Sequence, residues 1–139
     1  MIQFRRLNWE EACSMLAPMV GNFKWDWTNG LYGVEDIIGG GLVYIAFDEA
    51  GPLMVVAVDK VMHLGGRELV IRAALQLAAS GDATERVLPE IERVFGTDCN
   101  AVTVYTKRAG LVRKMELAGY SPAATIMRKT LNEYSRAAA

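Results

Sequence analysis

The 139-residue sequence predicts one α/β domain, residues 1–139, built on a mixed sheet. Two observations carry this. Three strand-like runs follow one another with only short turns between them, which enforces antiparallel pairing. Further on, a helical pattern joins two strand-like runs, and that connection requires a parallel, right-handed crossover. The predicted order is β-α-(irregular or α)-β-β-β-α-β-α-β, antiparallel in its first half and parallel at its centre. Ligands bind beside the strand ends where such a sheet switches direction.

The elements follow in order. Ile2 to Leu7 alternate as a short strand. Asn8 supplies an N-cap, and Glu10 and Glu11 occupy a first turn whose dipole favours acids. Ala12, Met15, Leu16 and Met19 form a helical stripe that Pro18 ends or kinks near Ala17. The stretch 21–41 has six glycines and the aromatics Phe23, Trp25, Trp27 and Tyr32 without a clean period. It reads as irregular with one short helix, its aromatics either lining a cleft or capping one end of the core. Leu42 to Phe47 and Leu53 to Met62 are strands joined by the turn residues DEAGP, and Glu68 to Leu77 is a third strand after Gly65-Gly66-Arg67. Val87, Leu88, Ile91, Val94 and Phe95 share one helix face, ended by Gly96. AVTVYT at 101–106 is a strand, KRAGLVRKMELA at 107–118 a helix closed by Gly119, and AATIMRKTL at 123–131 alternates as a last strand. The tail at 132–139 frays.

Composition narrows the function classes. With 52% hydrophobic and 22% charged residues the chain is globular. Fifteen basic residues against sixteen acidic give no electrostatic footprint for nucleic acid or an anionic membrane. Cys13 and Cys99 lie far apart and His63 has no ligand partner nearby in sequence, so reduced thiols and no metal are expected. The N-terminus lacks an apolar signal core, and no apolar run reaches the length of a membrane span. A cytoplasmic location is the expectation.

One stretch carries a resemblance. Gln76-Leu-Ala-Ala79-Ser80-Gly81-Asp82-Ala83 runs from a strand directly into a helix. With the three-strand meander before it and RAGLVRKMELAGY after it, this resembles the GNAT superfamily of acyl-CoA N-acyltransferases. That family's main motif is Gln or Arg, two residues, Gly, one residue, Gly, one residue, Ala; Ala79 stands where the first glycine belongs. The compact chain, with its Arg-x-Gly element and final RK strand, is also similar to GNAT-like proteins of bacteriophages. The resemblance covers roughly residues 40–131 well and the first 40 in outline. It implies a GNAT-type mixed sheet and acetyl-CoA as co-substrate, with the amides of Ala79 to Ala83 toward its pyrophosphate. It further implies that backbone groups around Ile71 to Ala73 meet the pantetheine, that the fifth strand splays from the fourth near Thr103, and that Arg108 approaches adenosine or phosphate.

The loop's chemistry cuts both ways. A phosphate needs backbone N–H groups at a helix N-terminus with no bulky side chain in the way. Ala78, Ala79, Ser80, Gly81 and Ala83 meet that steric condition. Asp82 repels an anion unless its carboxylate caps the helix, and Arg86 one turn on offsets it. Pro89 either kinks the helix or begins it.

Acetyl transfer to an amine needs a base and an acid. The family's tyrosine acid falls here at Met115, which has no proton to give. Tyr105 is the candidate substitute and Glu68 the candidate base, with Asp59, Glu35, Asp36 and His63 as further titratable groups. Arg72, inside an apolar strand, requires Asp59 across the sheet or an anionic ligand. The acceptor is expected to be a small-molecule or peptide amine near residues 23–32. The rival readings are a catalytically degenerate GNAT-like phage accessory or virion-associated protein, and a domain that binds another small molecule in the same cleft. Exposed strand edges and the aromatic segment need cover, which a homodimer would supply; the sequence does not set the stoichiometry.

Overall fold

The structure is a computed structural model that describes residues 1–22, 25–79 and 81–132. Five strands form one sheet in the order β1 (Gln3–Arg6), β2 (Leu42–Asp48), β3 (Gly51–His63), β4 (Gly66–Gln76) and β5 (Ala101–Val104). The first three pairings are antiparallel and β4 pairs β5 in parallel. Helix α1 (Trp9–Leu16) follows β1, and a 3-10 turn over Ala17–Met19 follows α1 at Pro18. Helix α2 (Val34–Ile38) precedes β2, α3 (Ala83–Phe95) joins β4 to β5, and α4 (Ala109–Leu117) follows β5.

Asn8 caps α1 as its sequence requires, accepting from the Glu11 amide at 2.8 Å while Glu11 reaches back to the Asn8 amide at 3.1 Å. Alternation along β3 divides the core between the two sheet faces. Met54, Val56 and Val58 pack with Val87, Leu88 and Ile91 of α3, whereas Val55 and Ala57 pack with Ala12 and Leu16 of α1 and Ile37 and Ile38 of α2.

Two expectations are corrected. AATIMRKTL does not form a strand. Alternation suits a half-buried strand, but the ladder also needs a partner edge; Ile126 and Met127 remain 52% and 87% exposed. The parallel pair therefore lies at the sheet's edge, not its centre. Pro89 does not begin α3; it lies inside the helix, which extends from Ala83 to Phe95. Val87, Leu88 and Ile91 are buried around the proline, and that packing overrides its poor propensity. Among the described residues no helix is long and apolar enough to cross a membrane.

Candidate active site

Strand divergence positions the site. β4 pairs with β5 only from Glu68↔Ala101 to Ile71↔Val104; β5 then ends, while β4 continues to Gln76. The divergence begins after Val104, one residue later than Thr103. At the same point β4 carries an extra residue: its register with β3 passes from Ile71↔Val58 to Ala73↔Ala57, leaving Arg72 opposite no residue. A bulge of this kind sharpens the local twist and turns neighbouring side chains to one face. Ala73 accordingly packs with the α1 and α2 side, and Arg72 donates Nε to Ile37 O at 3.1 Å and Nη2 to Asp36 O at 3.2 Å. The Arg72–Asp59 pair forms only as a long contact of 3.9 Å. Beyond Ile71, the β5-facing edge of β4 has no strand partner among the described residues.

A cavity of about 60 Å³ opens where the strands part, walled by β4 at Ile71–Ala74, by Val104–Thr106 and by Trp25–Thr28. Trp27 stacks on Tyr105 with ring centroids 4.9 Å apart and planes at 20°, and Tyr32 meets Trp27 edge-on at 5.5 Å. Arg128 lies over the Trp27 ring, its Cζ 5.7 Å from the centroid, and donates Nη1 to Trp27 O at 2.8 Å. Trp25 and Trp27 line the cleft, while Trp25 and Tyr32 also pack against the core beside α1 and α2, so the segment does both; Phe23 lies outside the described residues.

Buried Asp26 shapes that segment. One carboxylate oxygen accepts from the Gly21 amide at 2.6 Å and the Gly30 amide at 3.1 Å; the other accepts from the Thr28 amide at 2.9 Å and the Thr28 hydroxyl at 2.6 Å. Burial pushes this carboxyl up, and the hydrogen bonds, led by the Thr28 hydroxyl, outweigh it and hold the group below its usual value.

The β4–α3 loop is open in shape. A Cβ built at Gly81 meets nothing within 4 Å, and Gln76 Nε2 donates to Ala78 O at 2.8 Å. Asp82 occupies the N-cap position of α3, yet no side chain caps the helix. Of the two alternatives for Asp82, capping of α3 by its carboxylate is not the one seen. Arg86 instead holds Asp48 at 2.6 Å, and its hydrogen bond keeps the Asp48 carboxyl below the ordinary range. Lys114 of α4 supplies the loop's cation: its Nζ donates to Gly81 O at 2.9 Å and lies 3.6 Å from Glu85. Nothing in the sequence pointed to Lys114, because its proximity to the loop depends on how α4 packs. Ala79 is exposed and Ala83 buried at the start of α3, while Ser80 lies outside the described residues.

The chemical candidates are not brought together. Tyr105 is 43% exposed at the cavity wall. Glu68 sits on the paired part of β4, where it accepts from the Thr103 hydroxyl and contacts His63 Nε2 at 2.8 Å. Those bonds, Thr103 first, lower the carboxyl's pKa and make it a weaker base. Among the described residues no hydrogen bond joins Glu68 to Tyr105. Met115 is buried in the core. Asp36 caps α2, accepting from the Gly33 amide at 3.0 Å, and Glu35 is exposed. Arg108 lines the cavity; its backbone amide donates to Thr106 Oγ1 at 3.1 Å, and among the described residues its guanidinium makes no hydrogen bond or ion pair. No cluster of three metal-ligating side chains occurs among the described residues.

By sequence, no protein family and no curated protein matches the chain. Solved structures do. A protein from Pyrococcus furiosus, provisionally described as an acetyl transferase, superposes with a TM-score of 0.69 at 14% identity, over 94% of this chain and 100% of its own. A GNAT family acetyltransferase from Staphylococcus aureus gives 0.52 at 13% identity, over 94% and 98%. An aminoglycoside N-acetyltransferase solved in complex with CoA gives 0.55 at 10% identity, over 95% and 96%. Likeness at these identities shows the fold: a mixed α/β sheet of the GNAT acetyltransferase type.

Proposed function

We propose that this GNAT-fold chain transfers an acetyl group from acetyl-CoA to an amine. The observation that carries the reading is the parting of β4 and β5 at the Arg72 bulge, which leaves an unpaired strand edge leading to a small-residue loop at a helix start. Coenzyme A fits these features. Its pantetheine amides can pair with the β4 edge as a further strand would. Its phosphates would be held by backbone amides at the start of α3, in the open space at Gly81, with the Lys114 cation beside them. Asp82 and Glu85 oppose an anion there, and Lys114 partly neutralises Glu85.

Acetyl-CoA supplies the activated thioester. Transfer forms a C–N bond, breaks the C–S bond and moves one proton from the amine nitrogen to the leaving sulfur. Tyr105, at the cavity wall, would give its phenolic proton to the leaving sulfur and recover one from the amine nitrogen through water. Glu68, already hydrogen-bonded and with its pKa lowered, is a weak base, so the amine enters neutral and passes its proton to water as the C–N bond forms.

A second reading is a GNAT-fold binding protein without turnover, to which the phage-accessory role expected from the sequence belongs. Met115 favours it, being packed in the core where the resemblance expects a tyrosine acid.

Calorimetric titration with acetyl-CoA tests the proposal. Saturable micromolar binding is expected, and Gly81→Val should abolish it without lowering the melting temperature, since the new side chain enters open space in the free protein. No heat at millimolar ligand would overturn the proposal. Amine-dependent release of free CoA thiol then separates the enzyme from the binding protein.

A further inference from the structure

We infer that the cavity beside Trp27 and Tyr105 selects an acceptor amine that carries an oxyanion, a carboxylate or a phosphate, held by Arg108 and Arg72. The inference rests on the acetyltransferase reading for its word acceptor, and on the cavity's own charges for the anion.

Among the described residues, two guanidinium groups line this cavity against a single carboxylate, Asp26. Asp26 is 3% exposed, and its two oxygens already accept four hydrogen bonds from Gly21, Thr28 and Gly30. It is consumed by its own loop and leaves no strong acceptor for a cation in the wall. Arg72 directs Nε and Nη2 to the carbonyls that end α2, and among the described residues its one ion pair is the long 3.9 Å contact of Nη1 with Asp59. A guanidinium has five N–H donors, so Arg72 keeps donors in reserve. Arg108 has no side-chain partner among the described residues. Arg128 lies over the Trp27 ring, which itself lines the cavity.

A small cleft with excess positive charge and partly apolar walls attracts anions and concentrates them. Guanidinium groups bind planar carboxylates and phosphates through paired N–H donors, which gives orientation as well as affinity. The stacked Trp27 and Tyr105 rings offer a flat apolar surface for the body of the same molecule. An oxyanion anchored at Arg108 would fix the amine at the mouth where β4 and β5 part.

Calorimetry on the full chain tests this with three related probes: benzylamine, 4-(aminomethyl)benzoate and 4-(aminomethyl)phenylphosphonate, each with and without coenzyme A. At least one anionic probe should bind roughly tenfold tighter than benzylamine, and the tighter of the two identifies carboxylate or phosphate as the anion. Titrated without coenzyme A, Arg108→Gln should bring the anionic probes to the benzylamine value, while Arg108→Lys should retain part of the preference. Thermal unfolding of each variant confirms a folded sample. Equal affinity for all three probes, or binding of none, overturns the inference. So does an Arg108→Gln variant that loses affinity for coenzyme A and keeps the anion preference, because Arg108 then serves the cofactor. A chain that prefers the anionic probes yet binds no acetyl-CoA loses the acetyltransferase reading and keeps the anion site.

Discussion

Asp26 shows how much one side chain decides here. Its carboxylate gathers the amides of Gly21, Thr28 and Gly30, and so sets the path of the segment that carries Trp25 and Trp27 into the cavity. Asp26→Ala should cost roughly 2–4 kcal/mol, because several donors in a buried loop lose their acceptor. The pH dependence has a fixed sign. The folded carboxyl lies below its ordinary value, so its contribution is complete above the unfolded pKa of about 4 and is lost as pH falls through the lower folded value. Urea midpoints of wild type and variant should differ most at neutral pH and converge as pH drops below about 4; a constant gap would contradict this role. Gly39 is a second such point. At φ +60°, a Cβ there would lie 2.6 Å from Arg72 Cζ, so Gly39→Ala should cost roughly 2 kcal/mol in chemical denaturation and displace the guanidinium from the end of α2. In the sequence, Gly39 was one glycine in a glycine-rich run; only the approach of Arg72 from β4 gives it a specific role.

At the scale of elements, helix α3 offers the sharpest test. Pro89 is exposed at mid-helix, where it removes one backbone hydrogen bond and leaves the Glu85 carbonyl without its helical donor. Pro89→Ala should stabilise the protein by roughly 1–3 kcal/mol, seen as a rise in melting temperature; an unchanged or lower value would mean that the proline sets a bend the packing needs. The sequence made α3, α1 and the β2–β3–β4 meander legible because each has a face with its own period, 3.6 or 2, and short turns fix the order. It failed at 123–131 because alternation does not say whether a neighbouring edge exists. The cavity's contents were legible only in part. Trp27, Tyr105 and Arg108 were visible as unusual residues, whereas the Trp27–Tyr105 stack, the Lys114 contact with the loop and the Arg128 contact with Trp27 join positions 33 to 101 residues apart. No local pattern encodes such pairings.

At the scale of the molecule, the sheet joins two unequal parts. β1 to β4 form an antiparallel unit backed by α1 and α2, and β5 is attached to it through four residues of parallel pairing with β4. A ligand in the opening between β4 and β5 would therefore touch both parts and add the pairing that β4 lacks beyond Ile71. Hydrogen exchange with and without saturating acetyl-CoA reads this directly. Amides of β4 from Ala73 to Gln76, of the loop leading to α3 and of the segment from Val104 to Leu111 should slow, by roughly a hundredfold at a hundred times the dissociation constant where local opening governs exchange. Amides of β1 and β2 that exchange by local fraying should change little, because they lie at the far edge of the sheet. Protection confined to β1, β2 and the groove bordered by Arg6, Trp9 and Leu42 would place the ligand at the opposite edge of the sheet and remove the strand divergence from its role as the binding site.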